Sequence, residues 1–187
     1  MSAEEPSAES LAGQLLIAAP NLLDPNFFRT VVLLLEHQDE GAVGVVLNRP
    51  SEQPAHEAIP DLAGVLDEKE MLHQGGPVQP EAVIALGEYR DPPPAGPIVG
   101  RVGLLGGDLD LNELGTIVDR ARIFLGYAGW GPGQLEAELA EEAWILEPAR
   151  PTDVFTVAPT LLWRAVLDRK GGRYRLLARM PDDPSLN

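Results

Sequence analysis

Residues 28 to 50, FRTVVLLLEHQDEGAVGVVLNRP, constrain the fold more than any other part of the chain. Two runs rich in Val and Leu flank QDEGA, which carries turn chemistry. That pattern predicts adjacent antiparallel strands over 28–36 and 42–48, with a turn near Asp39 to Gly41. The unbroken apolar run from Val31 to Leu35 reads as a strand buried on both faces. Gly44 inside the second strand predicts a bulge or a close backbone contact.

The flanking segments supply more of both element types. LAGQLLIAAP predicts a strand that Pro20 stops, and PNLLDPNFF a loop. Pro54 to Leu66 reads as a short helix interrupted by Pro60. MLHQGGPVQPEAVIALGEY reads as strand, glycine turn, strand, and RDPPPAGP as a rigid surface loop. IVGRVGLLGG reads as a glycine-bearing strand. Acidic starts and Leu/Ile/Val at helical spacing predict a helix over DLDLNELGTIVDRA. RIFLGYAG predicts a strand, GQLEAELAEEAW a helix with Leu135, Leu139 and Ala143 on one face, WILEP a strand, and PTLLWRAVLDRKGG a final helix ended by Gly171 or Gly172. Mixed strands and helices with a hairpin argue for a single α+β domain over residues 10–187. Residues 1–9, small, acidic and containing a proline, read as a disordered tail.

Composition then excludes chemistry. The chain of 187 residues has no cysteine, so disulfides, thiol nucleophiles and thiolate metal sites are absent. His37, His56 and His73 form no HxxxH pair, and no metal site is expected. The serines 2, 7, 10, 51 and 185 include no GxSxG elbow. None of the glycine loops, HQGGPV, LLGGD and GYAGWGPGQ, matches GxxxxGK[ST] or GxGxxG, so no nucleotide or other cofactor is expected. The net charge of −15 argues against nucleic-acid and anionic-membrane partners. The N-terminus lacks the basic start of a secretory signal, and no apolar run approaches the roughly 18–20 residues of a membrane span; a cytoplasmic location is expected. Against the acidic whole, residues 163–180 concentrate Arg164, Arg169, Lys170, Arg173, Arg175 and Arg179. Their expected partners are Glu136, Glu138, Glu141 and Glu142 of the acidic helix. At least two of the five arginines are expected to pair within the chain.

The segments LAGQLLIAAPNLLDPNFFRTVVLLLEHQDEGAVGVVLNRP, QGGPV and GYAGWGPGQLEAELAEEAWIL, in that order, resemble the YqgE/AlgH family of bacterial proteins. GGPVQPEAVIALG and the ending PDDPSLN look most like actinobacterial members. In some members the strand after GGPV ends in a histidine; Leu86 and Gly87 stand there in this chain, so no role of that histidine carries over. The resemblance implies one compact α+β domain whose mixed, branched sheet is strongly curled, like a partial barrel, and flanked by helices. One branch of the family is named for transcriptional control of exopolysaccharide synthesis. The resemblance implies no particular reaction, since a fold hosts many functions.

Three functional readings follow, of which direct DNA binding through residues 163–180 is the least favoured by the net charge. In the first, the protein is a noncatalytic regulatory or interaction protein with no catalytic residues. In the second, it is a small-molecule binder or enzyme using a groove between the GGPV and GYAGW segments. That groove would draw on Asn48, Arg49, His73, Gly75, Gly76, Gly129, Trp130, Gln134 and Glu136. The partner is then a protein or a small molecule, and the oligomeric state is left open. GYAGWGPGQ is expected to be first a structural corner, with strand 121–127 turning into a helix at 134, Trp130 buried, and Trp144 closing the far end of that helix.

Overall fold

The computed structural model describes residues 9–182; the proposed acidic tail lies outside them except for Glu9. Among the described residues nine strands run in chain order: β1 (Gln14–Ala18), β2 (Val31–Gln38), β3 (Gly41–Val46), β4 (Pro50–Pro54), β5 (Met71–Gln74), β6 (Val78–Tyr89), β7 (Val102–Leu104), β8 (Val118–Trp130) and β9 (Trp144–Pro148). The helices are α1 (Ala55–Ala58), α2 (Leu114–Ile117), α3 (Gln134–Ala140), α4 (Pro151–Val154), α5 (Leu162–Lys170) and α6 (Tyr174–Leu177).

The hairpin forms as its sequence predicts. β2 and β3 pair antiparallel around Asp39 and Glu40, with a bulge between Leu34 and Glu36. A Cβ on Gly44 would lie 2.7 Å from the Leu33 carbonyl oxygen, so close contact and bulge occur together.

The sheet runs β4-β5-β8-β3-β2-β1-β9, with β6 and β7 branching from β8. The branch is visible in the register. Phe124 and Leu125 pair with His73 and Gln74 of β5 and also with Ile84 and Val83 of β6. β5 and β6 therefore flank β8 on opposite sides, β5 parallel and β6 antiparallel. The result is a single α+β domain with a mixed sheet flanked by helices. The path does not close: β4 and β9 remain its two ends. The strong, barrel-like curl implied by the resemblance is not seen.

The strands β1 to β3 are covered on both faces, which explains their continuous apolar sequence. Leu15, Ile17, Val31 and Leu33 pack with Trp163, Val166 and Leu167 of α5. Leu16, Ala18, Val32 and Leu34 face the other way, toward Trp130, Leu135 and Trp144. Each fully buried side chain of this kind contributes about 1.5–3 kcal/mol. A third cluster lies around Ala121 and Ile123 of β8, with Leu72, Tyr89 and Leu114.

One predicted helix is corrected. DLDLNELGTIVDRA keeps a single helical turn, Leu114–Ile117, and Val118 already begins β8. The chain gains more there by pairing Val118 to Leu125 with β6 than by a helix with one apolar stripe. The glycine-bearing strand is also shorter than IVGRVGLLGG, reduced to Val102–Leu104.

Candidate functional site

The nine residues nominated from the sequence occupy four places. Asn48 and Arg49 brace the loop before β2. The Asn48 side chain accepts from the Val31 N–H at 2.9 Å and donates to the Arg29 carbonyl at 2.8 Å. Arg49 donates to the carbonyls of Asn26, Pro25 and Phe28. These side chains hold backbone that has no strand partner, which is a structural task.

Gly75 and Gly76 carry the chain from one side of β8 to the other. A Cβ on Gly75 would sit 2.3 Å from the Gly126 carbonyl oxygen, and one on Gly76 2.2 Å from Tyr127 backbone atoms. Gly126 itself has φ +71° and faces the Gly76 carbonyl. The two glycine segments thus meet backbone to backbone, and that contact fills the space between them. Only glycine permits so close an approach.

Gly129, Trp130, Gln134 and Glu136 form the third group. β8 continues through Gly129, which pairs with Val43, to Trp130, which pairs with Ala42. The corner is therefore Gly131 to Gly133 and not residues 128 to 133. Gly133, at φ 73°, precedes α3, and Pro132 lies outside the helix. Trp130 and Trp144 are both buried, with rings edge to face at 6.0 Å, and Phe27 joins them. Both indole N–H groups donate to the same Glu138 oxygen at 2.8 Å. Gln134 binds the other Glu138 oxygen and accepts from the Gly131 N–H. Glu136 instead accepts from His37 Nε2 at 2.6 Å, a bond that holds its carboxyl below the usual carboxylate range.

His73 lies apart from these groups, buried against Phe124. Its Nδ1 meets the Met71 carbonyl at 3.0 Å, and its Nε2 is buried with no partner among the described residues. Burial, reinforced by the Arg122 charge, lowers its pKa to about 4, so it is neutral near pH 7. Arg122 makes a two-pronged pair with Glu70, at 2.5 and 3.1 Å. It also donates to the Val154 and Thr156 carbonyls. A cleft of about 380 Å³ opens beside this pair, between Lys69, Arg120 and Phe155.

A further cleft was not foreseen from the sequence. About 610 Å³ in volume, it straddles β9, the end strand of the sheet. Leu139, Glu141 and Trp144 line one side; Lys170, Arg173 and Tyr174 line the other. Bonds from Ala19 N–H to Ala143 C=O and from Ala149 N–H to Gly13 C=O bracket the β1–β9 register. The odd-numbered residues of β9 therefore bond to β1, and the even-numbered ones point outward. Lys170 Nζ occupies the outward Leu146 carbonyl at 2.8 Å, and Arg169 the Pro148 carbonyl at 3.2 Å. The Trp144 N–H and C=O and the Leu146 N–H have no backbone partner among the described residues. Contributions from residues 19–21, 139–146 and 170–177 left no local motif that could have announced this site.

The C-terminal arginines do pair within the chain, but not with the acidic helix. Arg169 binds Asp153 at 2.7 Å and approaches Glu147, and Arg164 meets Asp182 at 3.3 Å. Folding brings α5 alongside α4 and β9, which sets these partners. Among the described residues no cluster of His, Cys, Asp or Glu is placed to hold a metal. No helix among them is long and apolar enough to cross a membrane.

The AlgH-like family profile matches residues 15–175. The chain belongs to the AlgH-like family. It is 45% identical to a UPF0301 protein of Streptomyces coelicolor, over 95% of this chain and 96% of that one. A UPF0301 protein of Mycolicibacterium gilvum is 40% identical over 94% of this chain and 89% of its own. The solution structure of the AlgH protein from Pseudomonas aeruginosa superposes with a TM-score of 0.70 at 34% identity, covering 97% of this chain and 98% of that one. A crystal structure of a Corynebacterium diphtheriae protein reaches a TM-score of 0.83 at 27% identity, covering 96% and 95%. The actinobacterial relatives agree with the subtype read from GGPVQPEAVIALG.

Proposed function

We propose that this AlgH-like protein acts by binding and not by catalysis, as a cytoplasmic regulatory or interaction protein whose working face is the β9 cleft. The observation that carries this reading is the free edge of β9, with three outward backbone groups opening into a 610 Å³ cleft. An exposed edge is a template for another strand. The occupant we propose is an extended segment of a partner protein. Its alternate side chains would face Glu141 and Glu142 on one side and Lys170 and Arg173 on the other, so the segment should alternate basic and acidic residues. Nucleic acid fits this face poorly, because Arg164 and Arg169 are already paired with carboxylates.

A second reading places a small anionic molecule in the cleft beside Lys69, Arg120 and Arg122. The converging positive charges favour it. Against it, Arg120 is paired with Glu88 and Arg122 with Glu70. The groove between GGPV and GYAGW is the weaker option, since the two backbones already touch.

The test is site-specific photo-crosslinking in cells, from position 173 and, as a control, from Glu52 on β4 at the other end of the sheet. A partner captured from 173 and not from 52, and lost on Leu146→Pro, supports the reading. Proline removes the outward N–H without breaking a bond to β1. Equal capture from both positions, or capture unaffected by Leu146→Pro, rejects it.

A further inference from the structure

The β9 cleft continues, through the shared residues Asn21 and Leu177, into a second cavity of about 330 Å³. Pro20, Phe28, Leu177, Met180 and Pro181 give it an apolar lining, and Arg29 is its buried cation. Arg29 is unusual in three ways. It is a non-glycine residue at φ 53°, a conformation that L residues adopt at a cost and that the surrounding structure must hold. Its side chain is only 13% exposed, and its guanidinium lies 4.5 Å from the Trp163 ring centre and 5.5 Å from that of Phe28. Its Nε is buried with no hydrogen-bond partner among the described residues.

The chain's own C-terminal segment fills the mouth of this site. Arg29 donates to the carbonyls of Met180 and Pro181. One oxygen of Asp182 lies 2.9 Å from Arg29 Nη1 and 3.3 Å from Arg164 Nη2. Two guanidiniums thus converge on a single carboxylate at the entrance to an apolar cavity. That carboxylate is 77% exposed. Solvent screens a pair whose carboxylate is this exposed, and a competing carboxylate can replace it.

We propose that the Arg29–Arg164 pair and the adjoining cavity form a binding site for a small amphiphilic carboxylate, with Asp182 as an internal occupant that the ligand displaces. The head group would take the Asp182 position, and an apolar body the size of a medium acyl chain or a single aromatic ring would enter among Phe28, Leu177 and Met180. Cavities of about 300 Å³ and more accept ligands of this size. The inference is independent of the peptide reading at β9, and its test uses no partner protein.

The experiment is titration of the full chain with octanoate, followed by NMR at the Trp163 indole N–H and at the methyls of Leu177 and Met180, with octan-1-ol as the neutral control. The Trp163 N–H is a useful reporter because it donates to the Ala18 carbonyl beneath the site. Octanoate should shift these signals and bind more tightly than octanol. Asp182→Asn, which removes the competing charge, should tighten octanoate binding roughly two- to five-fold, the range expected from losing an exposed ion pair. Arg164→Gln, at an exposed position that leaves the core intact, should weaken it. Equal affinity for octanol and octanoate overturns the proposal, as does an Asp182→Asn variant whose affinity is unchanged or an absence of shifts at Trp163.

Discussion

Replacing Trp130 with alanine tests how α3 is fastened to the sheet. The indole is 6% exposed and packs on Trp144, Phe27 and Leu135. Truncating a buried Trp to Ala costs about 3–5 kcal/mol. The edge-to-face contact with Trp144 at 6.0 Å adds about 0.5–1.5 kcal/mol of geometry-specific attraction. The hydrogen bond to Glu138 adds less than a buried charged bond would, because Glu138 is half-buried and keeps Trp144 and Gln134. The expected loss is therefore about 3.5–6.5 kcal/mol, against a total of roughly 5–15 kcal/mol for a domain. Urea denaturation followed by far-UV circular dichroism measures it. Trp130→Phe keeps an aromatic ring but loses the N–H and the five-membered part of the indole, so it should cost about 1–3 kcal/mol, less than the alanine change. A Trp130→Ala loss below about 1 kcal/mol, or a Phe variant as unstable as the Ala variant, would refute the packing argument.

Three further outcomes are expected. His73 has its folded pKa lowered to about 4 by burial and by Arg122, against about 6.5 unfolded. The unfolded chain then binds the extra proton first, so stability is full above pH 6.5 and falls as pH drops toward 4. Between pH 6.5 and 5 the loss is about 2 kcal/mol, and urea titrations of His73→Phe should lack that component. Glu70→Leu should cost about 3–5 kcal/mol by stranding the buried Arg122 charge, while Glu70→Leu combined with Arg122→Met should recover part of it; a double-mutant cycle in urea reads the difference. Gly75→Ala should cost at least the upper part of the roughly 1–3 kcal/mol typical of overpacking, because its Cβ meets backbone and not a movable side chain; a normal thermal midpoint would contradict the crossover geometry.

How much of this could be read in the sequence depended on whether local pattern or distant pairing made the decision. The β2–β3 hairpin was legible because Val31 to Leu35 and the turn at Asp39 specify it within 20 residues or so. β9 was legible at its full length as WILEP. The stretch at 108–121 misled, because Ile117, Val118 and Ala121 fit a helical stripe as well as a strand, and β6, distant in sequence, chose the strand. The arginines of 163–180 were seen to need partners, but Asp153, Glu147 and Asp182 could be named only once α5 was placed. The roles of Gly75 and Gly126 were hidden for the same reason: a glycine shows that a Cβ is missing and not which backbone fills the space. Of the nominated groove, Gly129, Trp130, Gln134 and Glu136 do share the corner at α3, and the rest lie elsewhere. The β9 cleft and the Arg29 cavity combine three or four separated segments, so no spacing rule could have joined them.

The central claim is that the outward groups of β9 receive a partner strand. It is tested most directly by amide hydrogen exchange on this protein with and without a synthetic peptide matching the segment captured from position 173. The account predicts slowed exchange at the Leu146 and Trp144 N–H groups, with those of β4 at the other end of the sheet unchanged. Bound peptide that leaves Leu146 and Trp144 exchanging at their free rates, while protecting amides elsewhere, would contradict it.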